Sequence, residues 1–310
     1  MRATFVNTLT ELARQDPKIA LVIGDTGFSV FEQFEAEFKE RFINVGIAEQ
    51  DFLGFSAGLA AMGMRPFVYN VVSFMVLRGA EQIALDLCYQ ENPVVLVGVG
   101  GGFAYGQAGP THHSLTDIAI MSAMPNMQII CPCDPVEMRL AIIAAAKTDT
   151  PMYIRIGRSV DPIVHTHGLE DFEIGKAIAL SKGTDIAVFA TGTIVKETVA
   201  ACNILAKMGI SVQLYSMHTI KPLDTKVIDE CSERFKLICT VEEHSVVGGL
   251  GSIVASHIMA QPNHDVRFKS FGVKDSFAPV TGSRDYLLSL NELNPKALAD
   301  NMLKELRNAR

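Results

Sequence analysis

The sequence predicts an α/β protein with two domains, each built on a mainly parallel sheet. Short, apolar, β-branched runs alternate with longer segments in which apolar residues recur at three-and-four spacing. This alternation occurs twice, on either side of a stretch of weak periodicity at 159–175. With 310 residues, 48% of them hydrophobic, the chain can bury a core in each half. We therefore expect one domain over residues 1–165 and a second over 176–310.

The elements follow in order along each half. The first half predicts strands at 18–24, 42–45, 66–70, 93–99, 127–131 and 152–156, with helices at 48–63, 74–90 and 135–147. The second predicts strands at 185–190, 211–215, 237–241 and 266–271, with helices at 195–208, 224–234, 249–260 and 294–306. Ligands bind at the carboxyl ends of the strands in such sheets. The loops near Asp25, Gly46, Asn70 and Gly100 are therefore the candidate site.

Composition excludes several classes of protein. The net charge of -7 argues against non-specific nucleic-acid binding, which needs a basic surface. No apolar run reaches the roughly 18 residues of a membrane span. The N-terminus lacks the charged-then-apolar layout of a signal peptide, and the six cysteines are scattered without a disulfide or zinc pattern. We expect a cytoplasmic protein.

Two further patterns carry little weight. The glycine-rich segment 98–106 lacks the spacing of a dinucleotide-binding loop, so NAD binding is not expected. Glu242, Glu243 and His244 are neighbours on a predicted strand, where side chains alternate between the two faces. They cannot all face one ion, and the sequence predicts no metal site in this chain.

A glutamate at the start of a predicted helix is the most informative residue. Gly46-Ile-Ala-Glu49-Gln50 follows the second strand and leads into an almost wholly apolar helix. The helix dipole alone favours a carboxylate in the first turn, which is a purely structural explanation. The alternative is a carboxyl group held in an apolar wall, ready to share a proton with a ligand.

This segment closely resembles the pyrimidine-binding domain of transketolases and deoxyxylulose-phosphate synthases. In that family the glutamate hydrogen-bonds N1′ of the thiamine aminopyrimidine, a role that the resemblance gives to Glu49. The carboxyl group there stabilises the imino tautomer, whose 4′-nitrogen removes the proton from thiazolium C2, and the cofactor acts as an electron sink. The resemblance implies thiamine diphosphate as the cofactor and ketol transfer as the reaction.

Two more segments extend the resemblance. Residues 66–74 look like the strand and loop that place an aromatic ring over the pyrimidine, which assigns that role to Phe74. Residues 106–117 resemble the family's Asp-Gly-Pro-Thr-His-Gln loop. His112 matches the histidine that contacts substrate oxygens and assists proton transfers, a task suited to imidazole. His113 stands where the family usually has glutamine and is also expected to contact substrate.

Recognition of a sugar phosphate is implied by similar positions elsewhere. Arg2, Ser29 and Arg158 match family positions around the phosphate, and the planar fork of arginine suits that group. Asp25 is expected to line the cofactor side of the loop that carries Ser29.

The sequence departs from the family at two places. The aspartate that reads a sugar hydroxyl is Ala108 here, and a further substrate histidine falls on Gly100. These changes predict a different shape or stereochemistry of the accepted sugar.

The resemblance also implies a partner. The family holds the diphosphate and Mg²⁺ with a Gly-Asp-Gly motif and a later Asn in an N-terminal domain, and no such motif occurs in these residues. We therefore expect an N-terminal subunit that supplies this half of the site, in a heterotetramer with two copies of each chain. Two alternatives stay open: the beta subunit of a 2-oxoacid dehydrogenase, and a non-catalytic subunit that keeps the fold.

Overall fold

Runs of aliphatic and β-branched residues form the strands of two sheets in the computed structural model, which describes residues 1–158, 163–169, 172–262 and 265–309. The strands are β1 (Ile19–Ile23), β2 (Phe42–Asn44), β3 (Arg65–Val71), β4 (Val95–Val99), β5 (Gln128–Ile130), β6 (Met152–Ile156), β7 (Ile178–Ser181), β8 (Ile186–Thr191), β9 (Val212–Ser216), β10 (Thr219–Lys221), β11 (Leu237–Ser245) and β12 (Arg267–Val273).

Helices with one apolar stripe cover these sheets. They are α1 (Arg2–Gln15), α2 (Glu32–Glu37), α3 (Glu49–Ala61), α4 (Val72–Arg78), α5 (Ala80–Gln82), α6 (Asp117–Ser122), α7 (Pro135–Ala145), α8 (Val195–Lys207), α9 (Thr225–Arg234), α10 (Leu250–Ala260), α11 (Arg284–Leu290) and α12 (Pro295–Ala309). A π-helix (Ile83–Tyr89) follows α5, and 3-10 turns occupy Lys39–Arg41, Gly106–Ala108 and Gly192–Ile194.

The first sheet has the strand order β10-β5-β6-β4-β3-β1-β2. All its pairings are parallel except that of β10 with β5. Chain order reverses on the two sides of β1, with β2 on one flank and β3 on the other. Ligands bind at such a reversal, outside the carboxyl ends of the strands.

The second sheet has the order β12-β11-β8-β9-β7, and only β7 is antiparallel to its neighbour. The predicted fold class, α/β with mainly parallel sheets, is confirmed. β10 belongs to the second half of the sequence but completes the first sheet. One apolar cluster likewise contains residues of both halves, from Val22 to Ile258. The two halves are therefore joined by a strand and by a shared core.

Two predicted elements differ in the structure. The helix predicted at 74–90 is broken at Gly79, where a Cβ atom would lie 2.0 Å from Leu53 Cδ1 of the neighbouring helix α3. The loop predicted near Asn70 does not exist, because β3 runs directly into α4 and buries Asn70. Of the weakly periodic stretch, 163–169 and 172–175 form no strand or helix, while residues 159–162 and 170–171 lie outside the described part. Among the helices that the structure describes, none is long and apolar enough to cross a membrane.

Candidate active site

Glu49 is the first residue of α3, and the fold buries it. Its side chain is only 7% exposed, and the helix continues into the core through Phe52 and Leu53. Arg78, at the end of α4, donates from Nη1 to Glu49 Oε1 at 2.8 Å. Within the described part of the chain, Glu49 Oε2 has no hydrogen-bond partner. One oxygen of a nearly buried carboxylate is thus free to meet a ligand.

Backbone turns hold the two loops that precede Glu49. Asn44 Oδ1 accepts from the N–H of Asp25 at 3.0 Å and from the N–H of Gly46 at 3.0 Å. Gly46 has a φ of 87°, in the region that favours glycine, and the space where a Cβ would stand is open. Asp25 accepts from Asn44 Nδ2 at 3.3 Å, so the loops after β1 and β2 form one rim.

A row of stacked side chains runs from Glu49 across the carboxyl end of the sheet. The Arg78 guanidinium lies over the Phe74 ring at 4.4 Å, and the Phe74 ring meets His112 edge-on at 5.0 Å. Tyr105 lies 6.0 Å beyond His112, and Arg158 covers the Tyr105 ring at 4.5 Å. The structure therefore brings the predicted residues Glu49, Phe74, His112 and Arg158 into one continuous surface.

His112 is presented by a tight turn. Gly109 has a φ of 80° and accepts from the N–H groups of His112 at 2.9 Å and His113 at 3.2 Å. The ring nitrogen Nδ1 of His112 lies 2.9 Å from Thr111 Oγ1. This contact orients the half-buried imidazole and leaves its other nitrogen free of protein contacts within the described residues.

Arg2 reaches the same end of the row. Burial raises the pKa of Tyr105, while the positive charges of Arg158 and Arg2 oppose that rise. Burial also raises the pKa of Tyr69, again against the charges of Arg2 and Arg158. The two arginines therefore gather around two tyrosines beside His112, as an anion site would require.

His113 and Ser29 are not brought into this row. His113 is buried, with Nε2 3.1 Å from the Gly106 carbonyl oxygen and its ring edge-on to Phe103. Ser29 is exposed in the loop after β1, and its N–H donates to Glu32 Oε1 at 2.7 Å. His113 holds the glycine loop in place, and Ser29 shapes the turn that leads to α2.

With this geometry in place, comparison with known proteins separates the two explanations of Glu49. Residues 1–161 match the family described as "Transketolase, pyrimidine binding domain", and residues 175–298 match "Transketolase, C-terminal domain". The chain belongs to the transketolase family. The resemblance stated from the sequence is confirmed, and this transketolase chain spans both of those domains.

Individual relatives agree with this assignment. The chain is 41% identical to the B subunit of the apulose-4-phosphate transketolase of Phocaeicola vulgatus, covering 88% of this chain and 87% of that one. It is 35% identical to "6-deoxy-6-sulfo-D-fructose transketolase subunit SqwH" of a Clostridium species, covering 93% and 88%. A solved structure titled "Split gene transketolase, inactive beta4 tetramer" superimposes with a TM-score of 0.89 at 32% identity, covering 100% and 98%.

The transketolase chain differs from its family at the substrate end of the row for a steric reason. Gly100 has a φ of 98°, and a Cβ atom there would lie 2.2 Å from Tyr105 Cε2. A histidine cannot occupy this position unless Tyr105 moves. Tyr105 fills the space instead, and Ala108 beside it is exposed on a 3-10 turn.

The second half of the transketolase chain anchors the substrate loop. Glu243 on β11 accepts from the N–H of Phe103 at 2.7 Å through Oε1. Its other oxygen accepts from Arg284 Nη2 at 2.7 Å, and Arg284 also donates to Glu197 Oε1 at 2.8 Å. A cleft of about 690 Å³ opens here, lined by the loop from Ala104 to Ala108 and by residues of the second half. Sequence reasoning missed Glu243 and Arg284, because they are 41 positions apart and neither neighbours a recognised motif.

A buried ion pair fixes the far side of the same loop. Arg155 on β6 donates from Nε to Asp117 Oδ2 at 2.7 Å, and the Tyr153 hydroxyl donates to the same oxygen at 2.7 Å. Arg155 also donates to the carbonyl oxygens of Ser114 and Glu243. Burial would raise the pKa of Asp117, but Arg155 outweighs it and the pKa is lowered. The pair ties the loop end, β6 and β11 together.

The residues present suit one half of a thiamine site. Glu49 offers a free carboxylate oxygen, Phe74 an aromatic ring, and Arg78, with its side chain 52% exposed, can move aside. The sequence holds no Gly-Asp-Gly motif for the diphosphate and its metal ion. The structure therefore fits the aminopyrimidine end of the cofactor.

Proposed function

We propose that this chain is the subunit of a split transketolase that supplies the pyrimidine half of the active site. The complete enzyme would transfer a two-carbon ketol unit between sugar phosphates. The observation that carries the proposal is Glu49, nearly buried at the start of α3 with Phe74 and His112 beside it. When bound, thiamine diphosphate supplies a carbon nucleophile and an electron sink.

Glu49 is the proton-handling residue on the pyrimidine side. Its free oxygen would meet N1′ of the aminopyrimidine and share a proton with that nitrogen, in surroundings that exclude water. Arg78 balances the carboxylate charge in the chain alone and would leave Oε1 as the cofactor enters. Phe74 would stack on the ring and fix its plane, a contact worth about 0.5–1.5 kcal/mol beyond burial.

His112 and the arginines act on the substrate. The free ring nitrogen of His112 would give or take a proton at a substrate oxygen. Arg2 and Arg158, near Tyr105, would bind the sugar phosphate. The departures at Ala108 and Gly100 remove two groups that read the sugar in the family. We therefore propose that the accepted sugars differ from those of ordinary transketolase.

An N-terminal partner subunit would hold the diphosphate and Mg²⁺. A relative named as one lettered subunit of its transketolase implies a second chain, and the similar structure formed by β chains alone carries the word inactive in its title. We propose a heterotetramer with two copies of each chain. We also propose a cytoplasmic location, because all six cysteines are buried and free, as in a reducing compartment.

Neither alternative function is favoured by these observations. The relatives are transketolase subunits, which does not support a 2-oxoacid dehydrogenase. A subunit without a catalytic role would not need both Glu49 and His112 on one surface.

The test is a ketol-transfer assay with thiamine diphosphate and Mg²⁺, using this chain, its co-encoded N-terminal partner, and their mixture. Ketose phosphates are supplied as donors and aldose phosphates as acceptors, and the product sugars are identified by mass spectrometry. We expect turnover only in the mixture. A stable mixture with no turnover on any ketose phosphate would contradict the proposed activity, and turnover by this chain alone would contradict the need for a partner.

A further inference from the structure

Three metal-binding side chains meet at a place far along the chain from Glu49. Cys133 follows β5, Glu137 stands in the first turn of α7, and His165 belongs to the described segment 163–169. His165 Nε2 lies 2.9 Å from Glu137 Oε1 and 3.8 Å from Cys133 Sγ. One ligand atom from each residue falls within 4.8 Å of the other two.

These separations suit a small divalent ion. A zinc ion bound to a thiolate at about 2.3 Å and to imidazole at about 2.0 Å would hold sulfur and nitrogen roughly 3.5 Å apart. The observed sulfur-to-nitrogen distance is 3.8 Å. The nitrogen-to-oxygen pair needs to open by only a few tenths of an ångström. Thiolate, imidazole and carboxylate are together the donor set of zinc and its neighbours rather than of Mg²⁺ or Ca²⁺.

The three side chains are fixed by outer contacts, as in built metal sites. The N–H of Cys133 donates to Glu137 Oε2 at 2.7 Å. Asp134 caps α7 by accepting from the Glu137 N–H at 2.9 Å, and its other oxygen accepts from the His165 N–H at 2.8 Å. The side chains of Glu137 and His165 are 0% and 6% exposed. The segment and the helix start are thereby held in register.

A fourth side chain in the same surroundings has an unused nitrogen. His218, in the turn before β10, is fully buried, and the charges of Glu137 and His165 act on its ring. Its Nδ1 contacts Thr219 Oγ1, while Nε2 has no hydrogen-bond partner among the described residues. The Lys176 backbone also acts on the ring but closes no hydrogen bond to Nε2. An orphaned buried nitrogen points to a missing partner.

We propose that Cys133, Glu137 and His165 bind one divalent transition-metal ion of the zinc class. The fourth position is left to water or to His218. The ion fastens the segment 163–169 to the start of α7, at the joint where β10 of the second half enters the first sheet. Its role is structural and does not depend on the ketol-transfer function.

Metal binding must release protons. Without the ion, burial and the adjacent Glu137 keep the Cys133 thiol protonated by raising its pKa. The pKa of His165 is raised too, because its bond to Glu137 outweighs burial. A bound ion takes the sulfur lone pair as the thiol proton leaves, and the imidazole nitrogen as its proton leaves.

The test uses the full chain stripped with a chelator and then titrated with Zn²⁺ against a competing chromophoric chelator. We expect one equivalent per chain, with affinity at least about tenfold weaker in Cys133→Ala and in His165→Ala. His167→Ala is the matched control, because His167 is exposed in the same segment, and its affinity should equal that of the unaltered chain. No stoichiometric uptake, or equal uptake by all variants, would overturn the proposal.

A measurement on the unaltered chain guards against variants that fail to fold. Co²⁺ replaces Zn²⁺ in such sites, and a cobalt–thiolate bond gives a charge-transfer band in the near ultraviolet. We expect that band to saturate at one equivalent and to be displaced by Zn²⁺. Bound Co²⁺ without a sulfur band would exclude Cys133 as a ligand and overturn the proposed site.

Discussion

A carboxylate that is nearly buried, with one oxygen paired to Arg78 and the other free, defines Glu49 at the scale of a single residue. Glu49→Gln keeps the shape and the acceptor for Arg78 but removes the shareable proton. We expect turnover of the assembled enzyme to fall about 10²- to 10⁴-fold. The free energy of unfolding should change by only about 1 kcal/mol. Steady-state kinetics and urea unfolding measure the two effects.

Asp51→Asn is the matched control, since Asp51 lies on the same helical turn but is exposed. It removes the same charge from the start of α3, and its kcat should stay within about twofold because the dipole interaction alone is small. Full activity of Glu49→Gln, or an equal loss in Asp51→Asn, would show that the carboxyl group of Glu49 handles no proton.

At this scale the sequence located some site residues and not others. Glu49 and His112 stand in motifs whose spacing survives in the linear sequence, so they could be predicted and are placed on one surface. The orientation of His113 depends on Phe103 and on the Gly106 carbonyl, which only the folded loop brings near. Tyr105 was missed for a similar reason: its role follows from the space that Gly100 leaves.

At the scale of elements, β11 distributes its polar side chains to opposite faces. Glu243 reaches the substrate loop, while Glu242 accepts from the N–H groups of Leu250 and Gly251 at the start of α10. Burial raises the pKa of Glu242 to about 7 and lowers that of His244 to about 4. These contacts explain why the strand continues to Ser245, past the predicted end at 241.

His244 makes stability depend on pH with a definite sign. Its folded pKa of about 4 lies below the ordinary 6.5, so unfolding takes up a proton below pH 6.5. The contribution of the neutral ring is full above that pH and is lost as pH falls towards 4. Between pH 7.5 and pH 5 the loss is about 2 kcal/mol.

We expect His244→Gln to remove this dependence. The difference in unfolding free energy between the unaltered chain and the variant should shrink by about 2 kcal/mol from pH 7.5 to pH 5, as measured by urea unfolding. Glu242 titrates in the opposite sense, and comparison at each pH largely cancels it. His167→Gln, at an exposed position, should show no such change. A pH-independent difference for His244→Gln would contradict a neutral buried ring.

Long elements could be predicted, and short ones could not. β6 was predicted with its observed bounds, and β1 and α8 within one residue at each end, because each has a clear apolar period and a terminating signal. β10 has three residues, and its partner β5 lies about 90 positions away, so no local pattern marks it. α11 begins at Ser283, whose hydroxyl caps the N–H of Tyr286, and it was missed because the turn before it has no periodicity.

At the scale of the molecule, apolar side chains remain exposed on one group of helices. Phe55, Met62, Leu77, Leu85 and Tyr89 lie on or just after α3, α4 and the π-helix, which contact one another. We call them the helical face. Ile47 and Phe28, exposed by 74% and 80%, continue it to the rim at Glu49. A partner that completes the cofactor site must approach this rim, so we expect the N-terminal subunit to cover the helical face.

A charge on the helical face should weaken assembly. We expect Met62→Glu and Leu85→Glu to lower the affinity for the partner subunit at least about tenfold, because each buries an unpaired charge. Unfolding of this chain alone should change by less than about 0.5 kcal/mol, since both positions are exposed. Sedimentation of the mixture measures the affinity. Met259→Glu, at an exposed position of α10, is the control, and an effect as large there would place the interface elsewhere.

The central claim is that this chain holds half of a thiamine diphosphate site and that a partner holds the rest. Calorimetric titration of the cofactor, with Mg²⁺ present, into this chain, into the N-terminal subunit and into their mixture tests it most directly. The account predicts one tight site per pair of chains in the mixture and binding at least about a hundredfold weaker in either chain alone, because divided sites lose the contacts of the other half. Tight binding by this chain alone, or none by a stable mixture, would contradict it.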